Sequence, residues 1–459
     1  MKGMHVFWHQ RDLRVPDNRG LAAAAADDAG LPVYVVDAEL LEGLGARQRA
    51  FFLAGVRSLK RAYRDRGGDL LVREGRPAEV LPEVASEHGA DRVFYNEHYA
   101  PERRDRQRRV DEAVATASRT DLVLVDPATL DERYENHGRF YDDWGARAKP
   151  SPVAGPDGDS LVALDDPTTV PPAEADIDLP DAGYRAARRR YDDFLADGIE
   201  TYRDTRDDVA AAVDRPANAV SRLSPYLAAG MIGIREVWAD ASDRHASVSG
   251  DAARNVQKYR DELSWREANY HLLFRNPALA SENYNALSNP IEWENDADHV
   301  AAWKRGETGY PLVDAGMRQL DREGYVHNRP RQNVASFLTK HLLVDWRIGE
   351  RHFREKLLDY DPANNAGNWQ WIASTGTDSV AVRIFDPVAQ LHKYDAGADY
   401  VTAYVPELRG VPPEKVVDWP TLAEAERERL APDYPSPVVD RDAAYERAQR
   451  VFERALGIR

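Results

Sequence analysis

From its start to about residue 126 the chain alternates short apolar runs with segments of helical spacing. MHVFWH, LPVYVVDA, DLLVREG, DRVFYNEHY and DLVLVDP each read as a buried strand. AAAAADDAG, RQRAFFLAGVRSLKRAYRDRGG and PAEVLPEVASEHGA read as the helices between them. Near-continuous apolar strands separated by helices are the signature of an α/β doubly wound parallel sheet, because helices cover both of its faces. A G-x-G-x-x-G turn after the first strand is missing, so the sequence gives no support to an ordinary dinucleotide site.

The pattern then changes twice. Residues 131–183 form the expected inter-domain linker, and KPSPVAGPDGDS and DDPTTVPPAEADIDLPD within them are rich in Pro, Asp and Gly. Beyond it strand patterns vanish. YRAARRRYDDFLADG, SRLSPYLAAGMIGIREVWADA and NVQKYRDELSWREANYHLLF carry long helical periodicity. The expected organisation is an N-terminal α/β domain over 1–130, the linker over 131–183, and a predominantly α-helical C-terminal domain over 184–459.

Composition narrows the function. At 459 residues the chain is too long for one core. A net charge of -17 opposes indiscriminate coating of nucleic acid or anionic membrane, so any nucleic-acid contact requires a local basic patch. Lysine is scarce, at nine residues, and arginine supplies nearly all the positive charge, a balance that fits a salt-rich cytoplasm. The absence of cysteine excludes disulfides, thiol nucleophiles and cysteine-ligated metal clusters. MKGMHVFWHQRDLR lacks the apolar run of a signal peptide, and no stretch is long and apolar enough to span a membrane. The expectation is a cytoplasmic protein, a monomer without a metal centre.

The chemistry concentrates in the helical region. Eight of the ten tryptophans lie there, and any one of them taken alone is core packing, as Trp238 and Trp303 are expected to be. Arg331, taken alone, is a surface arginine, and Asp359 and Asp361 in DYDP are acids at a helix start. Their combination across separate segments is more specific. LLDYDPANNAGNWQW crowds carboxylates, amides and indoles where a helix would carry a clean apolar stripe.

Six segments carry a resemblance over nearly the whole chain: FWHQRDLRVPDN, SRLSPYLAAG, ELSWRE, WKRGETGYPLVDAGMRQL, HNRPRQNVASFLTKHLLVDW and DYDPANNAGNWQWIASTGTD. With them the sequence resembles the DNA photolyase/cryptochrome flavoproteins. The resemblance implies an antenna domain followed by a helical domain that holds FAD in a folded conformation. It carries the flavin contacts onto Tyr202, Arg206, Ser221, Leu223, Ser224, Arg266, Asn328, Arg331, Asp359, Asp361 and Asn365. Hydroxyls and N–H groups at a helix start suit a diphosphate, and Arg331 with Asp359 would frame the ring. Asn365 matches the position facing flavin N5, where plant-type signalling cryptochromes carry aspartate; an amide cannot readily deliver a proton there, which leans toward repair. Trp369, Trp346 and Trp293 match an electron-transfer chain running from the flavin to the surface.

For repair, the resemblance implies that a pyrimidine dimer is flipped out of UV-damaged DNA, single- or double-stranded, and stacked between Trp265 and Trp371. Glu262 and Asn328 would hydrogen-bond it, and Arg329 and Arg383 would grip backbone phosphates. Four positions depart from the family pattern. Val220 replaces a hydroxyl residue before Ser221, and Gln332 stands where conventional dimer photolyases have methionine and the DASH branch has glutamine. SVAVRIFDP replaces the usual loop after TGTD, and Pro101 replaces the asparagine that precedes the acid Glu102 in the folate pattern. A deazaflavin antenna, a folate antenna or none stays open, as does a preference for single strands. The competing readings are a cryptochrome that reduces FAD in light without repair, and a light-independent nucleotide-binding α/β protein, which would leave the three aligned tryptophans unexplained.

Overall fold

The computed structural model describes residues 3–458; residues 1, 2 and 459, the outer ends of the two expected domains, lie outside it. Five parallel strands form the N-terminal sheet: β1 (Met4–His9), β2 (Ala29–Val36), β3 (Leu71–Glu74), β4 (Arg92–Asn96) and β5 (Thr116–Arg119), in the order β3-β2-β1-β4-β5. Their residues alternate between two cores. Val6 and Trp8 of β1 pack with Val33, Leu81, Val84 and Val93 on one face. Phe7 points to the other, where Phe51, Phe52 and Leu59 of the helix Ala46–Arg64 cover it. That second core continues without a break through Tyr191, Phe194, Tyr226, Met231 and Tyr259 of the helical region. The sheet and the helices therefore share one hydrophobic interior.

The last strand differs from the expectation. DLVLVDP is not a strand; the fifth strand is the preceding Thr116–Arg119, whose residues are only half-buried. Val123, Leu124 and Val125 are buried instead between sheet and helices. The backbone N–H groups of Leu124 and Val125 donate to the carboxylate of Glu267, at 2.5 and 3.2 Å, in place of a ladder. An apolar run wedged between two bodies is indistinguishable by periodicity from a buried strand.

Residues 131–183 do not hang free. They carry a helix, His137–Ala146, whose Trp144 donates to Glu267 at 2.7 Å. Further on, Val162 N–H bonds Gly30 at 3.0 Å, and Asp166 and Asp176 pair with Lys60 and Arg47 at 3.1 and 2.6 Å. Arg235, fully buried at the start of the helix Ile234–Ser247, locks sheet to helices by donating to Asp17 at 2.8 Å and Asp121 at 2.5 Å. Arg14 reaches the same Asp121 at 2.5 Å. Gly230 allows this approach: its φ of 66° is left-handed, and a Cβ there would stand 2.0 Å from the Arg11 carbonyl oxygen.

Four helices build the region where the candidate residues meet: α1 (Gly250–Arg275), α2 (Asn328–Ser336), α3 (Trp346–Lys356) and α4 (Pro362–Ile372). α4 opens with Asp361 as N-cap, its carboxylate accepting from Asn364 N at 3.0 Å, and Pro362 at its first position. It is buried on several sides, which is why LLDYDPANNAGNWQW has no single apolar stripe.

Candidate functional site

Two cavities that share Ser224, Tyr325 and Asn328 occupy the centre of the helical region. The inner one, of about 230 Å³, is walled by Arg331, Gln332 and Asn328 from α2, by Phe353 of α3, and by Asn365, Trp369 and Trp371 from α4, with Asp359 just before α4. The outer one, of about 180 Å³, is lined by Tyr202, Arg206, Asp207, Ser221, Leu223 and Glu262. Val220, the apolar substitute, lines the outer cavity too. Arg222 between the two serines has a φ of 47°, a left-handed conformation costly for a residue with a side chain and typical of ligand clamps.

In the inner cavity Arg331 Nη2 donates to both oxygens of Asp359, at 3.3 and 3.1 Å, and to the Val326 carbonyl at 3.2 Å. The aspartate is buried and the arginine only partly so, which leaves a fixed guanidinium edge on the wall. Asn365 Nδ2 donates to the Glu350 carbonyl at 3.2 Å and to Glu350 Oε1 at 3.0 Å. Because a carboxylate can only accept from it, the amide oxygen of Asn365 is left as the group available to a ligand. Burial pushes the Glu350 carboxyl above its ordinary range, more than the Asn365 and Tyr360 hydrogen bonds pull it down.

His327 caps α2. Its Nδ1 accepts from Arg329 N at 3.2 Å while Nε2 faces the Arg206 carbonyl at 2.9 Å, tying the outer cavity to the inner. Burial pushes the ring down to about 4, so it is neutral and of a single tautomer near pH 7.

Trp369, Trp346 and, at its edge, Trp293 belong to one hydrophobic cluster. Trp369 lies edge-on to Phe353 at 5.1 Å and to Trp303 at 6.3 Å. Gly349, one turn into the helix that Trp346 begins, makes room for it: a Cβ there would stand 2.2 Å from the Trp369 ring. Trp346 is buried with its Nε1 on Asn283 at 3.0 Å, and Trp293 is partly exposed, edge-on to Phe452 at 5.8 Å. Trp369 and Trp346 are thus buried and Trp293 alone of the three reaches solvent.

Some expected residues stand elsewhere. Asp361 does not line the cavities. It is buried behind α4, bonded to Tyr270 OH at 2.5 Å and paired with Arg11 of the FWHQRDLR segment at 3.0 Å. Burial raises its carboxyl, but Arg11 and the hydrogen bonds outweigh it and hold the group below the ordinary range. Arg266 likewise lies off the wall, donating to the Leu122 carbonyl at 3.0 Å and stacking over Tyr270. Trp265 is 41 % exposed, and one of its faces is taken by His137, parallel at 3.5 Å. Glu262 lines the outer cavity, held by Arg206 at 2.6 Å and Lys258 at 2.7 Å. Arg329 forms a two-pronged pair with Asp207, both contacts at 2.7 Å, and Arg383 pairs with Asp378 at 2.6 Å while lying over the Trp371 ring. Tyr325, Asp207, Gly349, Glu350, Asn364 and Asn368 escaped the sequence reading. Glu350 sits four residues after Trp346, on the face that α3 turns inward, which was the available signal.

A third cavity, of about 160 Å³, lies between sheet and helices at the crevice where strand order reverses, bordered by Arg11, Gln48, Phe51, Phe52, Arg103 and Arg106. Arg103 is buried there with Nη1 unpartnered, and burial pushes its guanidinium down. Among the described residues no group of side chains is arranged to hold a metal ion, and no helix is long and apolar enough to cross a membrane.

Residues 5–156 match the family described as DNA photolyase, and residues 259–454 match the FAD binding domain of DNA photolyase. The chain is 44 % identical to the deoxyribodipyrimidine photo-lyase of Halobacterium salinarum, over 99 % of this chain and 100 % of that one. It is 35 % identical to the cryptochrome DASH of Natronomonas pharaonis, over 96 % and 99 %. Among solved structures, a bacterial class III photolyase from Agrobacterium tumefaciens superposes with a TM-score of 0.86 at 33 % identity, covering 99 % of this chain and 98 % of that one. An archaeal photolyase from Sulfolobus tokodaii holding two FAD molecules does so with 0.83 at 29 %, covering 98 % and 99 %.

Proposed function

The chain belongs to the DNA photolyase/cryptochrome family, and we propose on that premise that it is a deoxyribodipyrimidine photolyase, which uses FAD and light to split cyclobutane pyrimidine dimers in DNA. The observation that carries the assignment of residues is the pair of joined cavities lined by Ser221, Ser224, Arg331, Asp359, Asn365 and Trp369. Hydroxyl donors and a strained turn in the outer cavity fit a diphosphate. The inner cavity, with its fixed guanidinium, amide oxygen and the Trp369, Trp371 and Phe353 rings in its lining, fits an isoalloxazine ring.

When bound, reduced FAD supplies the photochemistry: light drives an electron to the dimer, the cyclobutane ring opens, and the electron returns, with no net redox change. The protein's part is placement. Arg331, held by Asp359, sets positive charge beside the ring, and Asn365, held by Glu350, turns an oxygen toward it. Trp371, Gln332 and Asn328 line the inner cavity where an extruded pyrimidine dimer would enter, Trp265 offers its free face, and Glu262 stands ready to hydrogen-bond the lesion. Trp369, Trp346 and Trp293 would carry electrons from a reductant in solution to a bound oxidised flavin. Arg329 and Arg383 meet the phosphates.

We assign a second, light-harvesting chromophore to the crevice cavity. The unpartnered Nη1 of Arg103 and the rings of Phe51 and Phe52 fit an anionic aromatic group, a deazaflavin or a folate. The protein acts as a monomer in the cytoplasm, a placement supported by its acidic, cysteine-free composition.

Illumination of purified protein with reduced FAD and dimer-bearing DNA, single- and double-stranded, tests the activity. Dimer loss is expected on at least one of them. Normal light-driven flavin reduction with no dimer loss on either would convert the reading to a cryptochrome.

A further inference from the structure

The two arginines expected to hold phosphate at the lesion cavity, Arg329 and Arg383, are each neutralised by an aspartate. Unneutralised guanidinium groups gather elsewhere. A groove of about 780 Å³, larger than either cavity of the site, runs between the second half of the helix Ala46–Arg64 and the start of the helix Tyr184–Asp197. Arg57, Arg61, Arg64, Arg66, Arg185 and Arg189 line it, against only two carboxylates, Asp65 and Asp181. Arg185 pairs with Asp65 and Arg189 with Asp181, both at 3.2 Å, and Arg64 with the neighbouring Asp69 at 3.1 Å. Arg57 and Arg66 donate only to the Pro171 and Ala62 carbonyls, which carry no charge to cancel theirs. Arg61 has no salt-bridge partner among the described residues. Pairing thus leaves three guanidinium charges unmatched in one trough on a chain of net charge -17.

We propose that this groove is a second DNA contact, which grips phosphodiester backbone away from the lesion cavity. The proposal rests on DNA being the substrate. Its chemistry excludes base reading: Tyr184 is the one aromatic side chain lining the trough, and its hydroxyl is committed to Glu236 at 2.9 Å. Neither a stacking platform nor a set of amides aimed at base edges is present in the lining. What remains is sequence-independent attraction to closely spaced phosphates, measured by its salt dependence. Such a contact holds undamaged DNA near a protein whose overall field repels it, so that the lesion cavity samples neighbouring bases.

The test compares the FAD-loaded wild type with the triple variant Arg57→Gln, Arg61→Gln, Arg66→Gln, which removes the three unmatched charges. A control variant, Arg108→Gln with Arg109→Gln, changes exposed arginines of the helix Pro101–Ala113. Affinity for an undamaged duplex is measured against salt, alongside repair of a short oligonucleotide carrying one dimer. The triple variant is expected to bind the duplex on the order of tenfold more weakly at low salt, with a salt slope lower by about 2–3, one per phosphate contact removed. Its flavin content and its repair of the short lesion should match the wild type. An unchanged slope and affinity in the triple variant, or an equal loss in the control, would overturn the proposal. A weakened triple variant alongside a wild type that repairs no dimer would support the groove and overturn the substrate reading instead.

Discussion

Asn365 and Glu350 are joined by a hydrogen bond of 3.0 Å from Nδ2 to Oε1, and a second from the same nitrogen reaches the Glu350 carbonyl at 3.2 Å. Two acceptors on one side fix the amide plane, so a residue outside the cavity decides which atom the cavity sees. Replacing Glu350 with Ala frees the amide to turn. FAD should remain bound while the rate of light-driven dimer loss falls between about tenfold and a hundredfold, the usual scale for a misplaced group. Flavin absorbance and single-flash repair yields, measured together, separate this from loss of the cofactor; an unchanged yield refutes the positioning role.

Trp369→Phe should abolish light-driven reduction of oxidised flavin but spare repair by protein reduced chemically beforehand. Gly349→Ala should impair the same step for a different reason, since the added methyl collides with the indole and moves it. Transient absorption after a flash reads both; persistent photoreduction in the phenylalanine variant would mean that another residue feeds the flavin.

Asp359→Asn removes the carboxylate that holds Arg331. Charge-assisted hydrogen bonds contribute about 1.5–3 kcal/mol, so FAD affinity should fall by roughly ten- to a hundredfold. Fluorescence titration of the apoprotein with FAD measures the change, and near-wild-type affinity would show that the pair does not shape the ring site.

Arg235 is fully buried between Asp17 and Asp121, with Arg14 sharing the second carboxylate. Arg235→Ala leaves Asp17 without its ion-pair partner and Asp121 with Arg14 alone at the seam between sheet and helices. A loss of about 3–5 kcal/mol is expected from denaturant melts. A loss under about 1 kcal/mol would mean that water replaces the guanidinium there.

Acid should loosen the site. Burial holds His327 at about 4, below its unfolded value of about 6.5, so the unfolded chain binds the extra proton. The stability this neutral ring contributes is complete above about 6.5 and is lost as pH falls toward about 4, at up to about 1.4 kcal/mol per pH unit. His341 and His352, also near 4, act in the same sense, while Asp395, raised by burial to about 6, acts in the opposite one. FAD release followed from pH 7 to 4.5 should begin earlier in the wild type than in His327→Asn, which keeps a capping acceptor but does not titrate.

Much of this was legible in order along the chain. Strands β1 to β4 follow from short apolar runs, and the start of the helix Tyr184–Asp197 falls where the Pro and Asp composition ends. What escaped depends on pairs distant in sequence. Asp361 reads as a ligand because carboxylates beside amides suggest a site, yet its charge is claimed by Arg11, about 350 positions earlier. Leu124 and Val125 read as strand because their apolarity is real, but Glu267 takes the N–H groups that a ladder would have used. Glu350 read as one acid among many, although its place one turn after Trp346 sets it on the buried face of α3.

The aspartate partners of Arg329 and Arg383 bear on how the enzyme tells damage from sound DNA. A phosphate arriving at either guanidinium finds a carboxylate already there, so it trades one ion pair for another and gains little by the exchange. Intact backbone at the cavity mouth is thereby kept near break-even. On the proposed assignment, only a strand that also buries an extruded dimer against Trp371 would have a surplus to hold it in place, and discrimination would be set by what the protein must give up to let any DNA in.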